Sequence, residues 1–460
     1  KNNNESILNG VFSLLITGAG QSVLQIIVLA FFARLLLPES FGVMAISLAV
    51  SDVVRVFARA GVTQAIVQLN KINDKIIRVG FTLSIFFSVI CCVLLFSMST
   101  YFSELLKMEQ MEDVLKVMSF VFPFVSFSLV SEALLARSFQ FHEIAISRFF
   151  GYIIGFVFVG ITFAYLGFGY WSLIYAYIAQ QVTQTIILIY KAPHNFTPLY
   201  DHSVAKKLMR FGLGYSLGQV ANILALRADS FIIARTLGPI ALSFYDRSYQ
   251  LMRFPAFLLA TIVDDALFPV FSRMQNEHEK MRRTFRKGLG LLSIVLLPLS
   301  SVVVLCSKPI INVLMGSNWS DAIPILQILA AAMFFRSAQR VSTSTLRAKG
   351  LVFISAFIQF LYFLMVILAV YTGGKWGIIG VAYGISIAIF LNFALVTAFA
   401  MNSIQLTILD VITPIINSLP LTLLLSITSY ITIMMSQYLS LSSFLTLTLV
   451  CICLIILLLM

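Results

Sequence analysis

The sequence predicts an all-α polytopic membrane protein of about 14 transmembrane helices, in two parallel six-helix repeats followed by a C-terminal helix pair. Three observations predict it. First, 60% of the 460 residues are hydrophobic and only 11% charged, with a mean hydropathy of +0.97. A soluble protein this apolar would lack the polar surface to dissolve it. Second, apolar stretches near the length that crosses a hydrocarbon core follow one another along the chain. Third, sequence features recur at an offset near 200 residues.

The expected spans are 8–33, 41–66, 77–99, 114–136, 144–166, 170–190, 209–233, 241–269, 286–306, 323–346, 352–371, 376–400, 408–433 and 439–459. The first is interrupted by Gln21, Ser22 and Gln25 and lacks a small-residue cleavage site, so it is expected to stay as a helix. Pro255 should kink the eighth. Pro414 and Pro420 make the thirteenth either one kinked helix or a re-entrant pair.

Lys and Arg set the orientation. With a cytoplasmic N-terminus, 18 basic residues fall on the cytoplasmic side and 6 on the outer side. That bias places both termini in the cytoplasm and assigns the net charge of +12 to topology rather than to nucleic acid. The run from Lys280 to Lys287 reads as topogenic charge or as attraction for anionic headgroups. The five cysteines lie in apolar runs without metal-ligand spacing and read as small buried hydrophobes.

Ala33-Arg-Leu-Leu-Leu-Pro38 matches Ala234-Arg-Thr-Leu-Gly-Pro239 at the same point between two spans, and Gly169–Tyr175 resembles Gly377–Tyr383. An offset of six helices preserves orientation, so the halves are parallel repeats about an axis along the membrane normal. The expected domains are 1–200, 201–403 and a pair of extra helices over 404–460. Two such bundles favour a transporter over an enzyme. No loop is long enough to carry a catalytic domain, and nothing resembles a nucleotide-binding P-loop.

Seven arginines lie inside the spans: Arg55, Arg59, Arg227, Arg247, Arg253, Arg336 and Arg340. Each costs roughly 2.5–3.5 kcal/mol at mid-membrane, so together they need water, counter-ions or an anionic ligand. By the helical rise, Arg55, Arg253 and Arg336 come out deepest, roughly 18–20 Å from the outer surface, with Arg59 and Arg340 one turn closer to the cytoplasm. Arg227 and Arg247 lie about 10 Å from the outer surface, within snorkelling reach. Asp52 can pair with Arg55 three residues on. Asp246, seven before Arg253, shares its face, whereas Arg227 and Asp229 do not face each other. Asp264, Asp265 and Glu132 complete the embedded acids; these carboxylates either neutralise arginines or couple transport to sodium or protons. Gln21, Gln25, Asn222, Tyr245 and Tyr249 are candidates for a polar and aromatic wall.

Phe32–Gly42 (FARLLLPESFG) and Ala60–Gln68 (AGVTQAIVQ) resemble the N-terminal signature of bacterial polysaccharide flippases. The resemblance continues through Leu166–Leu173, Phe211–Gly214, Arg227–Pro239, Tyr245–Leu251, Phe268–Arg273 and Leu314–Trp319. More narrowly, the set is similar to the Wzx-type colanic-acid and teichuronic-acid exporter branch of the multidrug/oligosaccharidyl-lipid/polysaccharide exporter superfamily. The resemblance implies two six-helix lobes, a central cationic cavity, and outward flipping of an undecaprenyl-diphosphate-linked oligosaccharide by alternating access. It implies a place in the bacterial inner membrane and in surface polysaccharide synthesis (O-antigen, capsule or exopolysaccharide). Partners would be the bilayer, the lipid-linked oligosaccharide and the pathway's polymerase and glycosyltransferases. No cofactor is expected; the membrane potential, sodium or protons would drive transport. The alternatives are a cation-coupled multidrug exporter of the same superfamily and a lipid II flippase.

Overall fold

The computed structural model describes residues 20–459 except 22, 60, 70 and 276; inside the helix over 202–273 several side chains, those of 256–266 among them, lie outside the description. Every regular element among the described residues is helical. In chain order they are α1 (Val23–Leu35), α2 (Pro38–Arg59), α3 (Val62–Gln68), α4 (Asp74–Leu106), α5 (Gln110–Arg137), α6 (Phe141–Tyr165), α7 (Tyr170–Lys191) and α8 (His202–Arg273). Then come α9 (His278–Leu305), α10 (Ser307–Leu314), α11 (Ala322–Ala348), α12 (Val352–Gly373), α13 (Gly377–Ile404), α14 (Ile408–Tyr438) and α15 (Ser443–Leu459).

Nine helical stretches among the described residues are long and apolar enough to cross a membrane, which makes the chain a multi-pass membrane protein. One of the nine, Val352–Ile404, contains the short turn of 3-10 helix that divides α12 from α13. α1 and the Ser443–Leu457 part of α15 are apolar but shorter. Residues 8–19 of the expected first span lie outside the described residues. The seventh and eighth expected spans are two helices, labelled together as α8, that meet in a kink at Gly238, at φ 84° and ψ 178°. The interruption therefore falls at a residue without a Cβ. α14 runs on through Pro414 and Pro420 as one helix.

Local sequence explains where helices begin. Pro38 opens α2, where its missing N–H is no loss. Asn73 caps α4 by accepting from the Ile76 amide at 3.0 Å. Thr407 and Asp410 form a reciprocal capping box at the start of α14.

The chain divides into two compact units, Lys1–Ser243 and Phe244–Met460. A core of the first unit gathers Val62, Ile66, Val79, Phe81, Val130 and Leu208 from α3, α4, α5 and α8. A core of the second joins Phe285, Leu289 and Leu296 of α9 to Phe334 and Val341 of α11, with Phe393 of α13 and Val411 of α14.

Two features of the first unit bear on later sections. A Cβ on Gly42 would lie 2.0 Å from the Pro239 carbonyl oxygen, so the chains meet there because residue 42 has no side chain. The start of α2 thus packs against the end of the second copy of the recurring motif. The connection over 192–201 is strapped to α4 and α5. Ser131 Oγ donates to the Ala192 carbonyl at 2.8 Å, Arg78 Nε to Thr197 at 3.0 Å, and the Leu199 amide to Thr82 Oγ1 at 2.9 Å. Lys75 reaches Asp201 at 2.5 Å, and hydrogen bonds from Lys75, Ser203 and the Val204 amide hold the Asp201 carboxyl well below the usual carboxylate range. Burial among Phe81 and Phe196 pushes the His194 imidazole below its ordinary value.

Candidate substrate site: two arginine clusters

In the first unit, α2 carries Asp52, Arg55 and Arg59 at spacings of three and four, which aligns them along one face. Asp52 lies 3.3 Å from Arg55 and 3.6 Å from Arg227, so one carboxylate serves two guanidinium groups. Arg55 also donates to the Tyr177 hydroxyl and lies 5.7 Å from that ring's centroid. Glu132, buried on α5, is shared in the same way, 3.8 Å from Arg59 and 3.3 Å from Arg148. Asp52, Arg55, Arg59, Gln64, Ser216 and Gln219 help line a cavity of about 260 Å³. Guanidinium and amide donors converge on it, a set suited to phosphate and sugar oxygens.

The second unit holds its arginines differently. Arg336 of α11 donates to the Tyr362 hydroxyl at 2.8 Å. Its guanidinium also lies 5.4 Å from the Tyr249 ring centroid and 5.9 Å from that of Tyr362. Arg253 stands on Tyr249 at 5.7 Å. One ring thus carries two cations, an arrangement worth about 0.5–2 kcal/mol per contact depending on desolvation. Tyr249 is itself stacked on Tyr245, with centroids 5.6 Å apart and planes 22° apart. Among the described residues neither Arg253 nor Arg336 has a carboxylate within ion-pair distance.

The structure sorts the residues that the sequence singled out. Arg55, Arg59 and Arg227 fall into the first cluster with Asp52, and Arg253 and Arg336 into the second. Arg340 lies one turn beyond Arg336 on α11, half-buried. Arg247 is engaged by its neighbour Asp246 at 3.3 Å and by Gln250 at 2.5 Å. Its side chain is only 18% exposed, so it is no loose interfacial anchor. Asp246 is therefore the partner of Arg247 and not of Arg253, although its spacing put it on the Arg253 face. Asp229 accepts from the Ser230 amide at 2.8 Å. The side chains of Asp264 and Asp265 lie outside the described residues.

Tyr245 is 2% exposed, which makes it a support for Tyr249 and removes it from the candidate wall. Asn222 is exposed and Gln21 and Gln25 half-buried. Sequence reasoning missed Tyr177 and Tyr362. The only signal was a tyrosine within an apolar span, which needs a partner for its hydroxyl when buried.

The fold is that of a membrane transporter. The chain is similar to the lipid II flippase MurJ in an inward closed conformation, with a TM-score of 0.69 at 15% identity over 92% of each chain. It is also similar to an inward-facing multidrug resistance MATE family transporter of the MOP superfamily, with a TM-score of 0.65 at 16% identity over 84% of this chain and 94% of that one. At the level of sequence, the family described as polysaccharide biosynthesis protein matches residues 31–324, and the chain belongs to that family. Among its relatives is the lipopolysaccharide biosynthesis protein WzxC of Escherichia coli (strain K12), 25% identical over 90% of this chain and 84% of the relative.

Proposed function

We propose that this chain is a flippase that carries an oligosaccharide linked to undecaprenyl diphosphate from the cytoplasmic to the outer leaflet of the bacterial inner membrane, by alternating access. One observation carries the reading. Among the described residues Arg253 and Arg336 are held by tyrosine faces and a hydroxyl, which leaves their charge to an anionic group. A diphosphate of about two negative charges matches that surplus, and an inside-negative potential near 100 mV favours its outward movement by roughly 4–5 kcal/mol. The glycan would meet amide and aromatic surfaces such as Gln64, Gln219 and Tyr249, and the polyprenyl tail can remain in lipid.

The second reading is a cation-coupled exporter, supported by the likeness to MATE family transporters. Against it, Asp52, Glu132 and Asp246 are each held by arginine, and a carboxylate so engaged is a poor site for a titrating proton or a sodium ion. We assign the drive to the membrane potential.

Arg253→Ala, in a strain that depends on this protein for surface glycan, should stop export while the protein accumulates and inserts normally. Arg253→Lys should rescue it in part, because a point charge cannot reproduce the guanidinium fork. In proteoliposomes, collapsing the potential should slow flipping, and removing a sodium or proton gradient at constant potential should not. Normal export by well-expressed Arg253→Ala would remove that residue from the mechanism, and dependence on a cation gradient alone would favour the exporter.

A further inference from the structure

Helix α14 belongs to the pair outside the expected repeat, and its packing against α9 leaves a groove of about 640 Å³. The α9 wall carries Arg283, Arg286, Lys287, Gly290, Leu291 and Ile294, spaced so that they form one continuous helical stripe. Pro414 and Asn417, one turn apart on α14, face it. The stripe is sharply divided: three cations stand toward the start of α9, and beyond Gly290 the wall is apolar. From Arg283 to Ile294 the helical rise is about 16 Å, close to half the hydrocarbon core of a bilayer. The groove is one leaflet deep, with its charge at one end.

Of the three cations only Arg286 comes within ion-pair distance of the neighbouring acid, Asp410. Asp410 is buried at 2% exposure and is held by Arg282 Nε at 2.8 Å and by the Thr407 amide and hydroxyl, both at 2.8 Å. Arg286 stands 3.7 Å away on the carboxylate's other oxygen. Arg283 and Lys287 have no ion pair among the described residues, and both are exposed. The Asp410–Arg282 contact pins α14 to α9 beside the mouth, and the wall below stays open, with Leu291 55% and Ile294 50% exposed. At Gly290 a Cβ would lie 3.7 Å from Pro414, ordinary contact with room beyond it.

We infer that this groove binds one anionic phospholipid of the surrounding leaflet, its phosphate on Arg283, Arg286 and Lys287 and an acyl chain along Leu291 and Ile294 against Pro414. The match is in charge and in length together: a cationic mouth one headgroup wide opens onto an apolar channel as deep as a single leaflet. The occupant is a resident lipid that seals the seam between α9 and α14, distinct from any transported cargo.

Native mass spectrometry of the purified full chain, titrated with dioleoyl phosphatidylglycerol or dioleoyl phosphatidylethanolamine, tests this. The wild type should retain one phosphatidylglycerol per chain in preference to phosphatidylethanolamine. Arg283→Ala with Lys287→Ala should lower that retention roughly thirtyfold, from the attraction per basic residue near an anionic headgroup. Ile294→Trp keeps the cations and narrows the channel, so it should lower retention of the dioleoyl lipid while leaving a short-chain phosphatidylglycerol bound as in the wild type. If the double variant proves aggregated on size exclusion, Ile294→Trp decides. Equal retention of the two headgroups, or unchanged retention in a monodisperse double variant, would overturn the proposal. So would displacement by millimolar inorganic phosphate, which would mark a soluble-anion site. Retention of a polyprenyl phosphate but not of phosphatidylglycerol would place the groove on the transport path and overturn it as well.

Discussion

The two arginine clusters achieve the same end, a guanidinium kept inside an apolar helical protein, by opposite means. In the first unit, each of two carboxylates is shared by two arginines, Asp52 by Arg55 and Arg227 and Glu132 by Arg59 and Arg148. In the second, Arg253 and Arg336 lean on Tyr249 and Tyr362. A carboxylate halves the local charge and fixes geometry through ion pairs; a ring face offers directional support and leaves the charge intact. The difference assigns separable tasks, with anchoring dominant in the first unit and anion attraction dominant in the second.

The largest expected effect tests that division directly. Arg336→Ala should reduce glycan flipping about 10- to 100-fold, the range for losing hydrogen bonds to a charged group, with little change in detergent stability. Arg55→Ala should do the reverse, lowering thermal stability more than transport per folded molecule. Equal behaviour of the two variants in both assays would break the comparison.

Asp52→Asn comes next. It leaves Arg55 and Arg227 near each other without their shared anion, and because all three side chains are about a quarter to a third exposed, solvent screening limits the loss to about 1 kcal/mol. A thermal unfolding midpoint unchanged from the wild type would mean that Asp52 neutralises nothing. A loss of similar size, in transport instead of stability, should follow Tyr362→Phe, which keeps the ring under Arg336 and removes only the 2.8 Å hydrogen bond, worth about 1 kcal/mol. Tyr249→Leu, which removes the face shared by two arginines, should cost more than Tyr362→Phe; the opposite order would mean that the hydroxyl and not the ring holds Arg336.

The smallest effect belongs to the strap over 192–201. Ser131 Oγ gives its proton to the Ala192 carbonyl, so the 3.1 Å contact leaves His194 Nδ1 as the donor to Ser131 Oγ, and Nε2 is buried with no hydrogen-bond partner among the described residues. Because burial lowers the folded pKa of His194, its contribution is full above the unfolded value near 6.5 and is lost as pH falls through the folded value. Protease cleavage within 192–201 should therefore rise modestly below about pH 6.5 in the wild type, and the rise should be absent in His194→Asn. A pH-independent cleavage rate would remove the imidazole from the strap.

Much of this was legible in the sequence, and the exceptions share a cause. The helical class, the embedded arginines and the Asp52–Arg55 pair follow from composition and from i,i+3 spacing, which are local. Arg227 with Asp52 and Arg59 with Glu132 join helices far apart in the chain, so periodicity within either helix could not reveal them. Asp246 shares a face with Arg253, but a spacing of seven residues sets two side chains two turns apart, beyond their reach. Asp246 took the adjacent guanidinium. The break between the seventh and eighth expected spans falls at Gly238, which adopts an angle that other residues resist.

The contact at Gly42 carries a consequence for how the chain can change. The missing carbon is needed by a backbone 197 positions away, so tolerance at position 42 is decided by where Pro239 lies and not by anything in its own helix. A saturation scan should find this site intolerant even of alanine, while Leu37, five residues earlier and 64% exposed, accepts most apolar replacements. A second-site suppressor of Gly42→Ala should map beside Gly238 and Pro239. Positions 42 and 239 would then be bound to drift together, each setting the other's permitted vocabulary.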